Sequence, residues 1–170
     1  WLDSSGSPVI SRDGGTLAIS DWGRSAGSNY ALLLRKMDGS PALSLGEGSA
    51  LDLSPDARWV LANVPTKPAK LMLYPTGPGE PRRIDNGELE AYSEGRFLDD
   101  GKSIFVCGNA VGKAPQCYVR TLDAPALHPV GPEGVDRGAI SPDGTQPIVR
   151  RVTGEQLVCP VRGRTPRAVT

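Results

Sequence analysis

The sequence predicts an all-β chain built from four repeated four-stranded antiparallel sheets, and three observations carry that prediction. A short turn phrase returns along the chain as Ser11-Arg12-Asp13-Gly14, Ser54-Pro55-Asp56-Ala57, Asp99-Asp100-Gly101 and Ser141-Pro142-Asp143-Gly144. From aspartate to aspartate (13, 56, 100, 143) the steps are 43, 44 and 43 residues, a period that marks a repeat architecture. No stretch shows a sustained helical period with caps, and 21 glycines and 16 prolines in 170 residues supply frequent turns. Four short strands per unit of ~43 residues describe the blade of a β-propeller, whose sheets bury both faces against their neighbours.

Each phrase reads as a hairpin turn. Proline suits the second position of a type I turn, aspartate bonds local backbone in the third, and glycine takes the left-handed conformation that closes the hairpin. Apolar runs of strand length follow at Thr16-Leu17-Ala18-Ile19, Trp59-Val60-Leu61-Ala62, Ser103-Ile104-Phe105-Val106 and Pro147-Ile148-Val149. A second strand comes next in each unit, over 30–35, 71–74, 117–120 and 157–161. It ends in another turn signal, such as Asp38-Gly39-Ser40-Pro41 or Thr76-Gly77-Pro78-Gly79, and a short outer strand follows, such as Ala42–Leu45 or Arg167–Thr170. The repeats run roughly over 1–47, 48–92, 93–136 and 137–170, as one propeller region.

Departures from the phrase carry their own expectations. Ala57 stands where the turn glycine belongs, at a cost of ~1–2 kcal/mol if that position is left-handed. Leu98-Asp99 replaces Ser-Pro in the third repeat. In the fourth, Gln146-Pro147 interrupts a strand and removes a ladder donor, so that repeat is expected to be the least regular.

The Ser-Pro-Asp-Gly turn followed by an apolar strand resembles the TolB-type, WD-like propeller repeats of bacteria, over essentially the whole chain. Residues 30–53, YALLLRKMDGSPALSLGEGSALDL, with the following SPDARWVLA, look like the propeller region C-terminal to some bacterial serine/threonine kinases and related membrane-anchored regulators. The resemblance implies a sensory or interaction module for a protein or peptide, without catalysis or cofactor, and an extracytoplasmic setting. It also implies further blades in the full-length chain, since TolB-type propellers normally close with six or more. No glycine-rich kinase loop, catalytic His-Arg-Asp or Asp-Phe-Gly occurs in the sequence.

Composition narrows the partners. Nineteen basic and 19 acidic residues leave a net charge of +0, which argues against a general polyanion binder. With aromatics at 5% and no phosphate-cradling glycine loop, nucleic-acid binding is not expected. Residues 137–170 are the exception in charge, with six arginines (137, 150, 151, 162, 164 and 167) against Asp143 and Glu155; these read as solvated strand faces and turns. No hydrophobic stretch approaches the ~20 residues of a membrane helix, so no insertion of this segment is expected. Cys107 and Cys117 lie near the facing ends of one hairpin, where a cross-strand disulfide is geometrically possible, although nothing in the sequence fixes the register. Cys159 reads as a buried apolar side chain.

Catalytic constellations are weak. Gly23-Arg24-Ser25-Ala26-Gly27 matches a nucleophile elbow, but that elbow needs a strand-to-helix turn and a later histidine. Here it falls in a polar loop between strands. His128, the one histidine, has no partners at metal-ligand spacing and reads as a surface residue. The repeat accounts for Asp13, Asp56, Asp100 and Asp143 as turn residues, so no catalytic or metal-binding residue is assigned. The connections between second and third strands are long, and such loops carry binding residues in folds of this kind. Trp22, Arg24, Asn29, Lys67, Asn109 and Lys113 are the candidates. Three readings follow: a non-catalytic binding or sensor module of a larger bacterial regulator, a propeller accessory to a prolyl-oligopeptidase-like hydrolase, and a scaffold with no dedicated ligand.

Overall fold

A computed structural model describes residues 5–23, 26–141, 146–159 and 167–168. Among these the chain forms strands and turns and no helix. Four four-stranded antiparallel sheets follow one another in sequence. The first holds β1 (Ser5–Ile10), β2 (Thr16–Asp21), β3 (Ala31–Lys36) and β4 (Leu43–Glu47), and the second β5 (Ser49–Leu53), β6 (Trp59–Val64), β7 (Lys70–Pro75) and β8 (Arg82–Ile84). The third holds β9 (Ala91–Phe97), β10 (Ser103–Asn109), β11 (Gln116–Thr121) and β12 (His128–Val130). In the fourth are β13 (Val135–Ile140), β14 (Pro147–Arg151), β15 (Gln156–Val158) and β16 (Arg167–Ala168). The chain divides into two compact units, residues 1–85 and 86–170, with two sheets in each.

The repeated phrase builds the hairpin between the first two strands of a sheet. Gly14, Ala57 and Gly101 donate to the carbonyls of Ser11, Ser54 and Leu98 at 2.9, 2.8 and 3.0 Å, and all three adopt positive φ, of 72°, 55° and 62°. Asp13 Oδ1 accepts from the Ser11 hydroxyl at 2.5 Å and from Gly15 N at 2.9 Å; Asp56 Oδ1 does the same with the Ser54 hydroxyl at 2.6 Å and Arg58 N at 3.1 Å. The serine oxygen in turn accepts the amide five residues on, Thr16 N or Trp59 N, at 2.9 Å. Leu98 has no hydroxyl to offer, and Ser103 replaces it from the far side of the turn: Asp100 takes the Ser103 amide and hydroxyl, both at 2.7 Å. In the fourth repeat Ser141 Oγ accepts Gln146 N at 2.9 Å, while Pro142, Asp143 and Gly144 lie outside the described residues.

Alternation along the strands buries one face of each sheet against its neighbour within a unit. In the first unit Ala18, Leu32 and Leu34 pack against Ala50, Val60, Ala62 and Tyr74. The seam is pinned by the Ser20 hydroxyl, which lies 3.0 Å from Ser49 Oγ and accepts Ala50 N at 2.8 Å. In the second unit Phe105, Cys107 and Cys117 pack against Val135, Val149, Leu157 and Cys159. Phe105 fits because Gly138 opposes it, where a Cβ would stand 2.6 Å from the ring. The opening strands β1, β5, β9 and β13 each carry a bulge, at Gly6/Val9, Ala50/Asp52, Tyr92/Glu94 and Val135/Arg137, which blunts a free edge.

One expectation needs correction. Pro147 does not interrupt its strand but opens it, buried and paired with Ile140. The first position of a strand tolerates a missing N–H, and the Pro147 carbonyl still accepts Cys159 N at 2.8 Å. The strands β15 and β16 span three and two residues; Pro160 and Val161, assigned from sequence to the same strand as Leu157, lie outside the described residues, as do Val169 and Thr170.

Candidate functional site

The connection from β2 to β3 in the first sheet is the most built of the predicted binding loops. Asp21, buried at the end of β2, accepts Gly23 N at 2.8 Å and turns the chain outward. Trp22 is left 48% exposed. Its indole lies across the backbone of Gly6 on β1, where even a Cβ would come within 2.7 Å of the ring. At the far end of the loop Tyr30, read from sequence as the first residue of a strand, stands outside β3 with φ of 64°. A tyrosine there costs ~1–2 kcal/mol, and the conformation is held by Gly48 N, which donates to the Tyr30 carbonyl at 3.3 Å.

That turn brings the Tyr30 ring to 6.0 Å from Trp22, at an interplanar angle of 49°. Asn29 Nδ2 donates to Glu47 Oε2 at 3.0 Å, and Tyr74 of the second sheet donates its hydroxyl to the Glu47 carbonyl at 2.7 Å. Burial raises the Tyr74 pKa, as does the Glu47 charge nearby, so this hydroxyl stays a donor at neutral pH. Trp22 and Asn29 therefore sit on one anchored loop. Arg24 and Ser25 lie outside the described residues; around them Ala26 N donates to the Gly23 carbonyl at 3.0 Å, and the chain continues into β3, not a helix.

The other candidates stand on separate hairpins. Lys67 is exposed between β6 and β7, in a turn where the Thr66 hydroxyl donates to the Pro68 carbonyl at 2.6 Å. Asn109 ends β10, and its carbonyl accepts Glu90 N at 3.0 Å. Lys113, on the β10–β11 connection, donates to Glu88 in an exposed ion pair. The pairing raises the Lys113 pKa and lowers that of Glu88, so Lys113 is a partnered cation and not a free one.

The turn aspartates are acceptors already in use. Asp13 and Asp56 are held below the usual carboxylate range by the hydroxyls of Ser11 and Ser54 first, then by backbone amides. At Asp100 burial pushes upward, but the bonds from Ser103 and the Lys102 amide outweigh it and the net shift is downward. His128 is exposed on β12, opposite Val119. Among the described residues no group of three or more His, Cys, Asp or Glu side chains is placed to hold a metal ion. No helix of the described residues is long and apolar enough to cross a membrane.

The hairpin cysteines are joined. Cys107 and Cys117 are direct cross-strand partners, with Cα atoms 4.0 Å apart, and form a disulfide buried in the core of the second unit. Cys159 is a free thiol in the same core, its pKa raised by burial.

No protein-family model matches the sequence, and no curated protein matches it either. Solved structures do. TolB from Acinetobacter baumannii matches over 95% of this chain with a TM-score of 0.76 and 17% identity. A putative TolB from Agrobacterium tumefaciens matches over 98% with 0.78 and 19%, and the β-propeller domain of the trilobed protease from Pyrococcus furiosus over 98% with 0.72 and 9%. The chain spans 42%, 62% and 57% of the lengths of these three. At these identities the likeness is one of fold: the four sheets are β-propeller sheets, similar to those of TolB and of a protease propeller domain.

Proposed function

We propose that this chain is a non-catalytic propeller module that binds a protein or peptide, and that the β2–β3 loop of the first sheet is a contact surface. The observation that carries the reading is the exposed Trp22–Tyr30 pair, seated on Gly6 and fixed through Asn29, Glu47 and Gly48. Large aromatics held rigid in solvent cost little entropy on binding, and Trp and Tyr dominate the energetics of interfaces. Arg24, on the same loop, and Lys67, Asn109 and Lys113, on the others, extend the proposal as polar contacts.

The larger setting is a bacterial signalling or regulatory protein, on the likeness of residues 30–62 to kinase-associated propellers. The buried Cys107–Cys117 disulfide fits an oxidising, extracytoplasmic compartment. A second reading, a propeller accessory to a hydrolase, draws on the likeness to the trilobed protease domain. It requires a catalytic domain in the same reading frame.

A random peptide library displayed on phage and panned on the chain tests the binding reading. Peptides that bind the wild type are expected to lose about tenfold or more in affinity on Trp22→Ala and on Tyr30→Ala, the scale of an aromatic hot spot. Binders unaffected by either change, or a library that yields none, would refute the assignment of this loop.

A further inference from the structure

We infer, building on the contact surface proposed above, that the Trp22–Tyr30 pair takes a proline-rich segment in the polyproline II conformation and reads its carbonyls with two ring donors. The register places the pair over the seam between the first two sheets. Gly6 stands opposite Ser20, so a Cβ on Gly6 would share the face of the Ser20 side chain. That face meets the second sheet, because the Ser20 hydroxyl accepts Ala50 N at 2.8 Å. There the Cβ would strike the six-membered ring of Trp22, with Cη2 at 2.7 Å and Cζ2 and Cζ3 at 3.1 Å.

Tyr30 is tied to the same seam. Gly48 N donates to its carbonyl, and a Cβ on Gly48 would stand 3.1 Å from the Asn63 carbonyl and 3.2 Å from Val64 Cγ2, both on β6. Both walls of the site therefore belong to the first unit. A sheet preceding the first would stack on the opposite face, that of Leu17 and Ile19.

The chemistry left open at this seam consists of aromatic faces and hydrogen-bond donors. Trp22 is 48% exposed and Tyr30 36%, and their rings, 6.0 Å apart and tilted by 49°, form an angled wedge. Among the described residues neither the Trp22 indole N–H nor the Tyr30 hydroxyl has a hydrogen-bond partner. The side chains beside them are already engaged, Asp21 with Gly23 N and Asn29 with Glu47. A polyproline II segment complements this set: its rings pack on aromatic faces, its prolines bring no N–H to satisfy, and its carbonyls make no internal bonds. It is also ordered before it binds, which lowers the entropy cost. An added β-strand does not fit, because Tyr30 has positive φ and its carbonyl is taken by Gly48 N.

Heteronuclear NMR of the nitrogen-labelled chain, titrated with acetylated decaproline, tests the inference. The Trp22 indole N–H signal, identified by its loss in Trp22→Phe, is expected to shift saturably, while an alternating Gly-Ser peptide and a Glu-rich peptide of the same length leave it in place. Trp22→Phe and Tyr30→Phe each keep a ring and remove one donor. Each is expected to weaken decaproline binding, read at the Ala31 and Gly48 amides, by about threefold or more, with circular dichroism showing that the strands are kept. An indole signal that answers a library-selected peptide but not decaproline overturns this inference and leaves the contact surface standing. A signal that answers neither overturns both. Displacement of a selected peptide by the Glu-rich peptide and not by decaproline, or decaproline binding indifferent to both donor deletions, also overturns it.

Discussion

Ala57 shows what a single residue contributes here. It occupies the left-handed position that Gly14 and Gly101 fill in the neighbouring repeats, so the cost expected from sequence is present in the fold. Ala57→Gly removes ~1–2 kcal/mol of strain and adds back ~0.5–1 kcal/mol of unfolded-state entropy. The expected outcome is a gain of up to about 1 kcal/mol in stability by urea denaturation. Gly14→Ala, whose Cβ would meet nothing within 4 Å, should lose about 1 kcal/mol for backbone reasons alone; stability changes of the same sign at the two sites would contradict the shared turn.

The aspartates of the same turns add a pH dependence. Asp13, Asp56 and Asp100 have folded pKa values below their unfolded ones. Their contribution is fully present above the unfolded carboxylate pKa of about 4 and is lost as pH falls through the lower folded values. Stability should therefore decline below about pH 4, and Ser54→Ala should flatten that decline. The aspartate and glycine roles were legible in the sequence. The Ser103 substitute for the missing turn serine was not, because its hydroxyl enters from five residues downstream.

At the scale of the element, strand existence was readable from short apolar runs bounded by turn residues, and strand edges were less so. Tyr30 illustrates the limit: the sequence YALLL reads as continuous strand, yet its first residue turns left-handed and joins Trp22. Nothing in residue type announces a positive φ at tyrosine, so half of the aromatic pair was missed, as was Glu47, which lies beyond the Ala42–Leu45 strand expected from sequence and ends β4 in the fold, while Trp22 and Asn29 were visible as loop residues. The disulfide was open for a related reason, since pairing of Cys107 with Cys117 depends on hairpin register. It closes a loop with a sequence separation of 10. The double variant Cys107→Ala/Cys117→Ala should lose about 3 kcal/mol on the loop-entropy model, and a loss near zero by denaturant titration would show that the hairpin is held without it.

For the whole molecule, the 43- and 44-residue steps of the turn phrase announce the four sheets, and alternation within strands selects which faces meet inside each unit. Side-chain size then sets how closely the sheets approach. Gly138→Ala places a methyl against the Phe105 ring and should cost about 1–3 kcal/mol as overpacking, read from the thermal unfolding midpoint; a neutral result would mean that the second unit's seam is looser than its buried core implies. Function is less legible at this scale, because the repeat consumes its own polar residues in turns and leaves recognition to the irregular loops. The most direct test of the account is amide hydrogen exchange on the chain with and without a selected peptide. The account predicts new protection over residues 26–31 and 46–49, around the Trp22–Tyr30 loop and the segment that anchors it. Protection confined to other connections, with none around this loop, would contradict it.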